Sequence, residues 1–244
     1  MSTDSAWEEW GSTEPYYGVI TDPRFRRARL TNEVRHEFFE SGRRHVEHVL
    51  TMIRTHIDPH YQAQSVLDFG CGVGRTLVHF ARSSQKVVGL DVSPSMLAEA
   101  RKNCAIEGVT NAIVQVSDDT LSMLSEEFDL IHSYIVFQHI PPERGKQLFQ
   151  RLISHLGRGG VGALHILYSK DRYASSLGVA PAAVLAETSV VPRQPRDDPE
   201  MQMNPYNLTE LLFMLQASGV VRLHIELTKH DGELGAFLFF QKPA

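Results

Sequence analysis

Cysteine is nearly missing from this chain, with Cys71 and Cys104 the two examples in 244 residues. A disulfide-stapled framework is excluded, and a reducing compartment fits better. Positive charge is also short, 24 Lys and Arg standing against 29 Asp and Glu for a net charge of −5. That balance disfavours nucleic acid or an anionic membrane surface as partner. No apolar run approaches the ~20 residues of a membrane span, and the opening MSTDSAWEEW has neither the cationic start nor the apolar stretch of a secretory leader. A cytoplasmic location is expected. Internal repeats and low-complexity tracts are lacking as well. What is present is 42% hydrophobic content, enough to bury one full α/β core in a chain of this length.

The most informative stretch is Val66–Thr76, VLDFGCGVGRT, an apolar strand ending in an acid and followed by glycines at 70, 72 and 74. Glycines there admit backbone conformations closed to other residues, and they are expected to lay a ligand on exposed N–H groups at a helix start. The dinucleotide fingerprint G-x-G-x-x-G needs a small residue where Arg75 stands. Asp68 would repel a pyrophosphate and welcome an ammonium. An amino-acid zwitterion therefore suits the turn better than a diphosphate, which weighs against a nicotinamide-dependent oxidoreductase.

With D-x-G-x-G-x-G after an apolar strand, the segment resembles motif I of the class I S-adenosylmethionine (SAM) dependent methyltransferases. Later segments resemble the family's other motifs in order: Val87–Leu97, Val114–Asp119, Phe128–Pro142 and Leu156–Ile166. The resemblance is strong over roughly residues 60–168 and looser beyond. It implies a Rossmann-like α/β fold with a mostly parallel seven-stranded sheet, a C-terminal antiparallel hairpin and a helical N-terminal lid. It also implies SAM as cofactor, with Asp91 taking both ribose hydroxyls and Asp118, or its neighbour Asp119, meeting the adenine amino group. Asp68, Gly70, Cys71, Gly72, Gly74, Val92, Met96, Ser117 and Tyr134 complete the implied cofactor wall, and no metal is implied.

Periodicity gives the same alternation of elements. Strands are predicted at 65–69, 86–91, 112–117, 128–134 and 160–167, with helices at 75–84, 94–107 and 142–155. Upstream, apolar spacing predicts two helices between Pro23 and Ile57, broken near Ser41-Gly42, with Ser41 capping the second. Residues 1–60 then form a helical lid or arm and 61–244 the cofactor domain. Its segment 169–206, with Pro181, Pro192, Pro195, Pro199 and Pro205, reads as an insertion. Asn207 caps a helix to Ala217, and strands 220–228 and 234–241 close through Asp231-Gly232.

Methyl transfer to a hydroxyl needs a base, and His139 follows the fourth strand on the acceptor side in the family this chain resembles. The alternative is a histidine that pins its loop. Aromatics Trp7, Trp10, Tyr16, Tyr17 and Phe25 precede the core, and Tyr17 or Tyr16 is expected to reach the cofactor, where a ring can stabilise a sulfonium. Arg43 or Arg44 is the expected partner of the methionine carboxylate. Tyr168, Arg172 and Tyr173 are expected at the acceptor entrance. The acceptor is expected to be a small molecule such as a glycan, secondary metabolite or quinone precursor, methylated at oxygen rather than nitrogen. The competing possibility is a SAM-binding subunit without catalysis.

Overall fold

The computed structural model describes residues 2–174 and 198–244; Pro181, Pro192 and Pro195 of the expected insertion lie outside the described residues. Seven strands form one sheet: β1 (Ser65–Phe69), β2 (Lys86–Asp91), β3 (Ala112–Val116), β4 (Phe128–Ser133), β5 (Leu156–Lys170), β6 (Arg222–His230) and β7 (Glu233–Gln241). Their order is β3-β2-β1-β4-β5-β7-β6, parallel from β3 through β5 and antiparallel across β7. The mostly parallel sheet and its closing hairpin are as predicted. Asp231 and Gly232 both take positive φ, 48° and 83°, the backbone that a two-residue hairpin turn demands. β5 is longer than predicted, because its first residues already pair with β4 at Phe128↔Leu156.

Strands with apolar residues on both faces need helices on both sides. Val66, Val87, Leu130 and Phe237 pack against α3 (Asn32–His56), α4 (Leu77–Ser83) and α5 (Pro94–Ile106). Leu67, Val88, Ile131 and Leu164 pack against α6 (Pro142–Ser154) and α7 (Leu208–Ala217). Thr31, Ser93 and Asn207 each accept an N–H bond at the starts of α3, α5 and α7. At the N-terminus, α1 (Thr3–Thr13) and α2 (Pro15–Val19) lie against α5, with Glu8 bonded to the hydroxyls of Ser93 and Ser95 at 2.7 and 2.6 Å.

The predicted break at Ser41-Gly42 is not there: α3 runs unbroken through both residues. Ser41 is not a cap, its hydroxyl donating instead to the Phe38 carbonyl at 2.6 Å. Gly42 serves close approach, since a Cβ on it would lie 2.1 Å from the Arg75 carbonyl oxygen. The helix is thus seated directly on the glycine turn. α4 in turn starts at Leu77, later than predicted, because residues 72–76 are spent on that turn.

Candidate active site

The chain leaves β1 for β2 and β3, then returns to β4 on the other side of β1. A crevice opens at the carboxyl ends of strands wherever order reverses this way. Here it is a cavity of about 490 Å³, floored by the glycine turn and covered by residues of α1, of the Gly18–Thr21 stretch and by Met201 and Met203. Of the residues singled out from sequence, Asp68, Gly70, Cys71, Gly72, Asp91, Val92, Met96, Ser117, Asp118, Asp119, Tyr134 and His139 all lie on its wall.

Others do not. Arg43 is spent on the surface of α3 in ion pairs with Glu40 and Glu47 at 2.9 and 2.6 Å. Tyr17 packs under the Arg26 guanidinium, 3.5 Å from its ring centre, and Tyr16 donates toward Glu99 and Asn103 on α5. Gly74 turns toward Ala100. Tyr168, Arg172 and Tyr173 are likewise absent from the wall.

The turn itself works differently from a row of free N–H groups. The N–H groups of Gly70 and Cys71 donate to the Leu90 carbonyl at 2.7 and 3.0 Å, and that of Gly72 donates to Asp91 at 2.9 Å. α4 begins only at Leu77 and is seven residues long, so the glycines do not open directly into a long helix. What the glycines offer is room. A Cβ on Gly70, where φ is +75°, would strike Val136 at 2.3 Å, so only glycine leaves this floor open.

Asp91 ends β2 with its two oxygens held by the N–H groups of Gly72 and Ser93, both at 2.9 Å. Each oxygen keeps a lone pair for a further donor. Burial pushes its pKa up to about 6, with Asp68 adding repulsion and the N–H bonds opposing. Asp68 is bonded to the Thr76 hydroxyl at 2.8 Å and to His132 Nδ1 at 2.7 Å, and His132 Nε2 meets His45 Nε2 at 2.9 Å. Asp118 is saturated by its own turn, accepting from Thr120 and Ser122, whose bonds hold its pKa well below the carboxylate range. Asp119 gives one oxygen to Arg144 Nε at 2.6 Å. Arg144 also holds Asp4 of α1 at 2.6 and 2.8 Å, a clasp across the cavity mouth.

His139 points Nδ1 at the Gln202 carbonyl, 2.8 Å away, and its ring meets Trp7 edge-on at 4.8 Å. Burial lowers its pKa to about 4 while hydrogen bonds to the backbone of Gln202 and Ile135 oppose the fall. That geometry matches the loop-pinning alternative, because the imidazole is tied to main-chain acceptors. Ile135 is held at φ 58°, a left-handed conformation costing a β-branched residue on the order of 1–3 kcal/mol. Arg75, which sequence reasoning used only to exclude a dinucleotide, lies on the wall; burial lowers its pKa, and its hydrogen bond is to the Ser41 hydroxyl at 3.4 Å. It forms no ion pair among the described residues. Trp7, one of the aromatics ahead of the core, lies on the wall, whereas Met201, Met203, Arg144 and His230 were missed as wall residues.

Residues 66–160 match the family model described as a methyltransferase domain. An uncharacterised methyltransferase of Synechocystis is 32% identical over 110 residues, 45% of this chain and 50% of that protein. The chain spans half or less of the length of the curated relatives it matches. The fold is shared with the N-methyltransferase NodS of Bradyrhizobium japonicum in complex with S-adenosylhomocysteine (TM-score 0.62, 12% identity, 100% of each chain). It is shared also with the magnesium protoporphyrin IX methyltransferase of Synechocystis with the same ligand bound (TM-score 0.60, 17% identity, 87% of this chain and 88% of that one). Motif order, strand order and family match agree: the chain carries a methyltransferase domain over residues 66–160, in the fold of the class I methyltransferases.

Proposed function

We propose that this protein binds S-adenosylmethionine and transfers its methyl group to a hydroxyl of a neutral small molecule. The observation that carries the reading is the pairing on one wall of Asp91, a carboxylate with lone pairs to spare, and Arg75, a cation without an ion pair among the described residues. A diol and an amino-acid carboxylate are the ligands those two groups call for. The open floor at Gly70 and Gly72 lets such a ligand lie against the main chain. Val92 and Met96 offer apolar surface for a base, and Asp119, with one oxygen uncommitted, suits an adenine amino group better than the saturated Asp118.

Held by Asp91 and Arg75, the cofactor would supply an electrophilic methyl for the acceptor oxygen, with its sulfur as the leaving group that keeps the S–C electron pair. The protein's part is positioning and exclusion of water. Neutrality of the acceptor follows from the remaining charges on the wall. Asp4 and Asp119 are matched by Arg144, Asp118 is spent on its turn and Asp68 on His132 and Thr76. Among the described residues, an ammonium or a carboxylate on the acceptor would meet no partner beyond Asp91 and Arg75, which the cofactor would engage, and burying it unpaired is costly. Trp7, Val19, Ile20, Met201 and Met203 provide apolar surface instead.

Calorimetry with SAM, S-adenosylhomocysteine and NADH tests the binding half, and labelled SAM with pooled small-molecule extracts tests transfer. SAM binding with acceptor-dependent release of S-adenosylhomocysteine is expected. Tight SAM binding without such release favours the non-catalytic subunit; binding of NADH in place of SAM overturns the proposal.

A further inference from the structure

The cavity wall beyond β4 holds a polar pair, one member of which, Tyr134, is also among the residues expected on the cofactor wall. The Tyr134 hydroxyl lies 3.2 Å from His230 Nε2, joining the end of β4 to the tip of the C-terminal hairpin across 96 residues of sequence. Both residues line the cavity. Tyr134 has little freedom, its ring centre being 4.1 Å from His45, 5.0 Å from His165 and 5.4 Å from Phe237. Burial raises its pKa, so the hydroxyl keeps its proton at neutral pH. Burial lowers the His230 pKa from 6.5, Asp231 opposing, which favours the neutral ring, and in the tautomer with its proton on Nδ1 the Nε2 accepts from the Tyr134 hydroxyl. His230 also sits at the exposed end of edge strand β6, where a captured proton has a path to water. His139 has no such freedom, being bonded to main-chain carbonyl.

We propose that His230 is the general base of this site, taking the acceptor's hydroxyl proton through Tyr134, which orients the imidazole and relays the proton. The inference rests on the methyl-transfer reading above. The acceptor's O–H bond breaks and its electron pair stays on oxygen for the new O–C bond. Its proton passes to the Tyr134 oxygen as the tyrosine's own proton moves to Nε2, leaving Tyr134 neutral and His230 an imidazolium that discharges to solvent. Other charges bear on this pair. His165 on β5 lies 5.9 Å from the His230 ring, Asp231 adjoins it and Glu233 faces it in register on β7, paired with Lys170. On the Tyr134 side stand Arg75 from the glycine turn, Glu226 on β6 and His45 of α3.

The test uses the full chain. The His230 imidazole is titrated by NMR without cofactor in the parent, Tyr134→Phe and His230→Gln proteins, SAM affinity is measured by calorimetry, and turnover is followed from pH 5 to 9 with phenol, catechol and 1-naphthol as neutral hydroxyl probes. At least one probe is expected to be methylated, with a rate that falls below the His230 midpoint. His230→Gln should lower kcat about a hundredfold, within the range for removal of a positioned base, abolish that acid limb and leave SAM affinity within twofold. Tyr134→Phe keeps the ring contacts and remains informative if the other variant folds poorly. It should raise the His230 midpoint, because a hydrogen bond given to the neutral ring disfavours its charged form. An unmoved midpoint, an unchanged kcat and acid limb in His230→Gln, or SAM binding with none of the probes turned over each overturns the assignment. Failure to bind SAM at all refutes instead the function on which it rests.

Discussion

Replacing Gly42 by alanine sets two effects of opposite sign against each other. In the middle of a helix, Gly→Ala ordinarily stabilises by about 1 kcal/mol, through the conformational freedom removed from the unfolded chain. At this position the new Cβ would stand 2.1 Å from the Arg75 carbonyl oxygen and 2.9 Å from its carbonyl carbon. Ordinary contact begins near ~3.5 Å, so α3 and the glycine turn must part by more than about 1 Å. The obstacle is backbone and cannot swing aside. It belongs to a turn fastened by Gly72 to Asp91 and by Gly74 to the Cys71 carbonyl. Overpacking costs typically ~1–3 kcal/mol, with a rigid obstacle toward the upper end, and after the helix gain a net loss of about 1–2 kcal/mol remains. Urea unfolding should show the midpoint lowered with an unchanged slope. SAM affinity should fall with it, because Arg75 moves with its carbonyl. A variant stabilised by about 1 kcal/mol would refute the argument, for α3 would then not be seated on the turn.

Three further outcomes follow from the same geometry. Arg75→Met should weaken SAM binding ten- to a hundredfold, the ~1.5–3 kcal/mol of a charge-assisted contact, while Arg43→Ala leaves it unchanged; calorimetry giving the reverse would restore the sequence-based choice of Arg43. Affinity for SAM should also fall by about tenfold per pH unit below pH 6, because diol hydroxyls donate to ionised Asp91, whose pKa stands near 6, and Asp91→Asn should flatten that dependence. In the free protein the sign reverses: a pKa raised from 3.8 means the folded state holds the proton more tightly, so this group's contribution to stability improves as pH falls from about 6 toward 4. Arg144→Ala leaves Asp4 and Asp119 without the cation that clasps α1 to the mouth, and stopped-flow release of SAM should be faster; an unaltered rate would show that α1 does not gate exchange.

Part of this site was legible because its determinants are local. The Asp68-to-Gly74 turn, the acid ending β2 and the Asp231-Gly232 hairpin each declare themselves within a dozen residues, since strand, turn and strand-end acid are adjacent in the chain. The same local logic misled at Gly42, because mid-helix glycine looks identical whether it ends a helix or admits a neighbour's backbone, and the neighbour, Arg75, lies far downstream. It misled also about the glycine turn, whose N–H groups are taken by Leu90 and Asp91, residues that only sheet formation brings alongside. Arg43 was chosen for being an arginine ahead of the core, but helical spacing to Glu40 and Glu47 turns it to the surface.

The two halves of the cavity differ in legibility for a chemical reason. A zwitterion with a diol asks for particular charges at particular separations, and a single turn with its next strand can hold Asp91 and Arg75 at the right places. A neutral acceptor asks mainly for apolar surface, which Trp7, Val19, Met201 and Met203 supply from segments with no shared spacing. Its one polar requirement, a proton acceptor, is met by joining Tyr134 to His230 across 96 residues. Tyr134 carries a motif signature but His230 has none, because the pair exists only once β6 and β7 fold back beside β5, and that edge of the sheet lies outside the stretch matched by the family model. If His230 is the base, the sheet's closing hairpin contributes the acceptor's proton acceptor, so exchanging residues 222–241 should lower methyl transfer while leaving SAM binding at the Asp91 and Arg75 end intact.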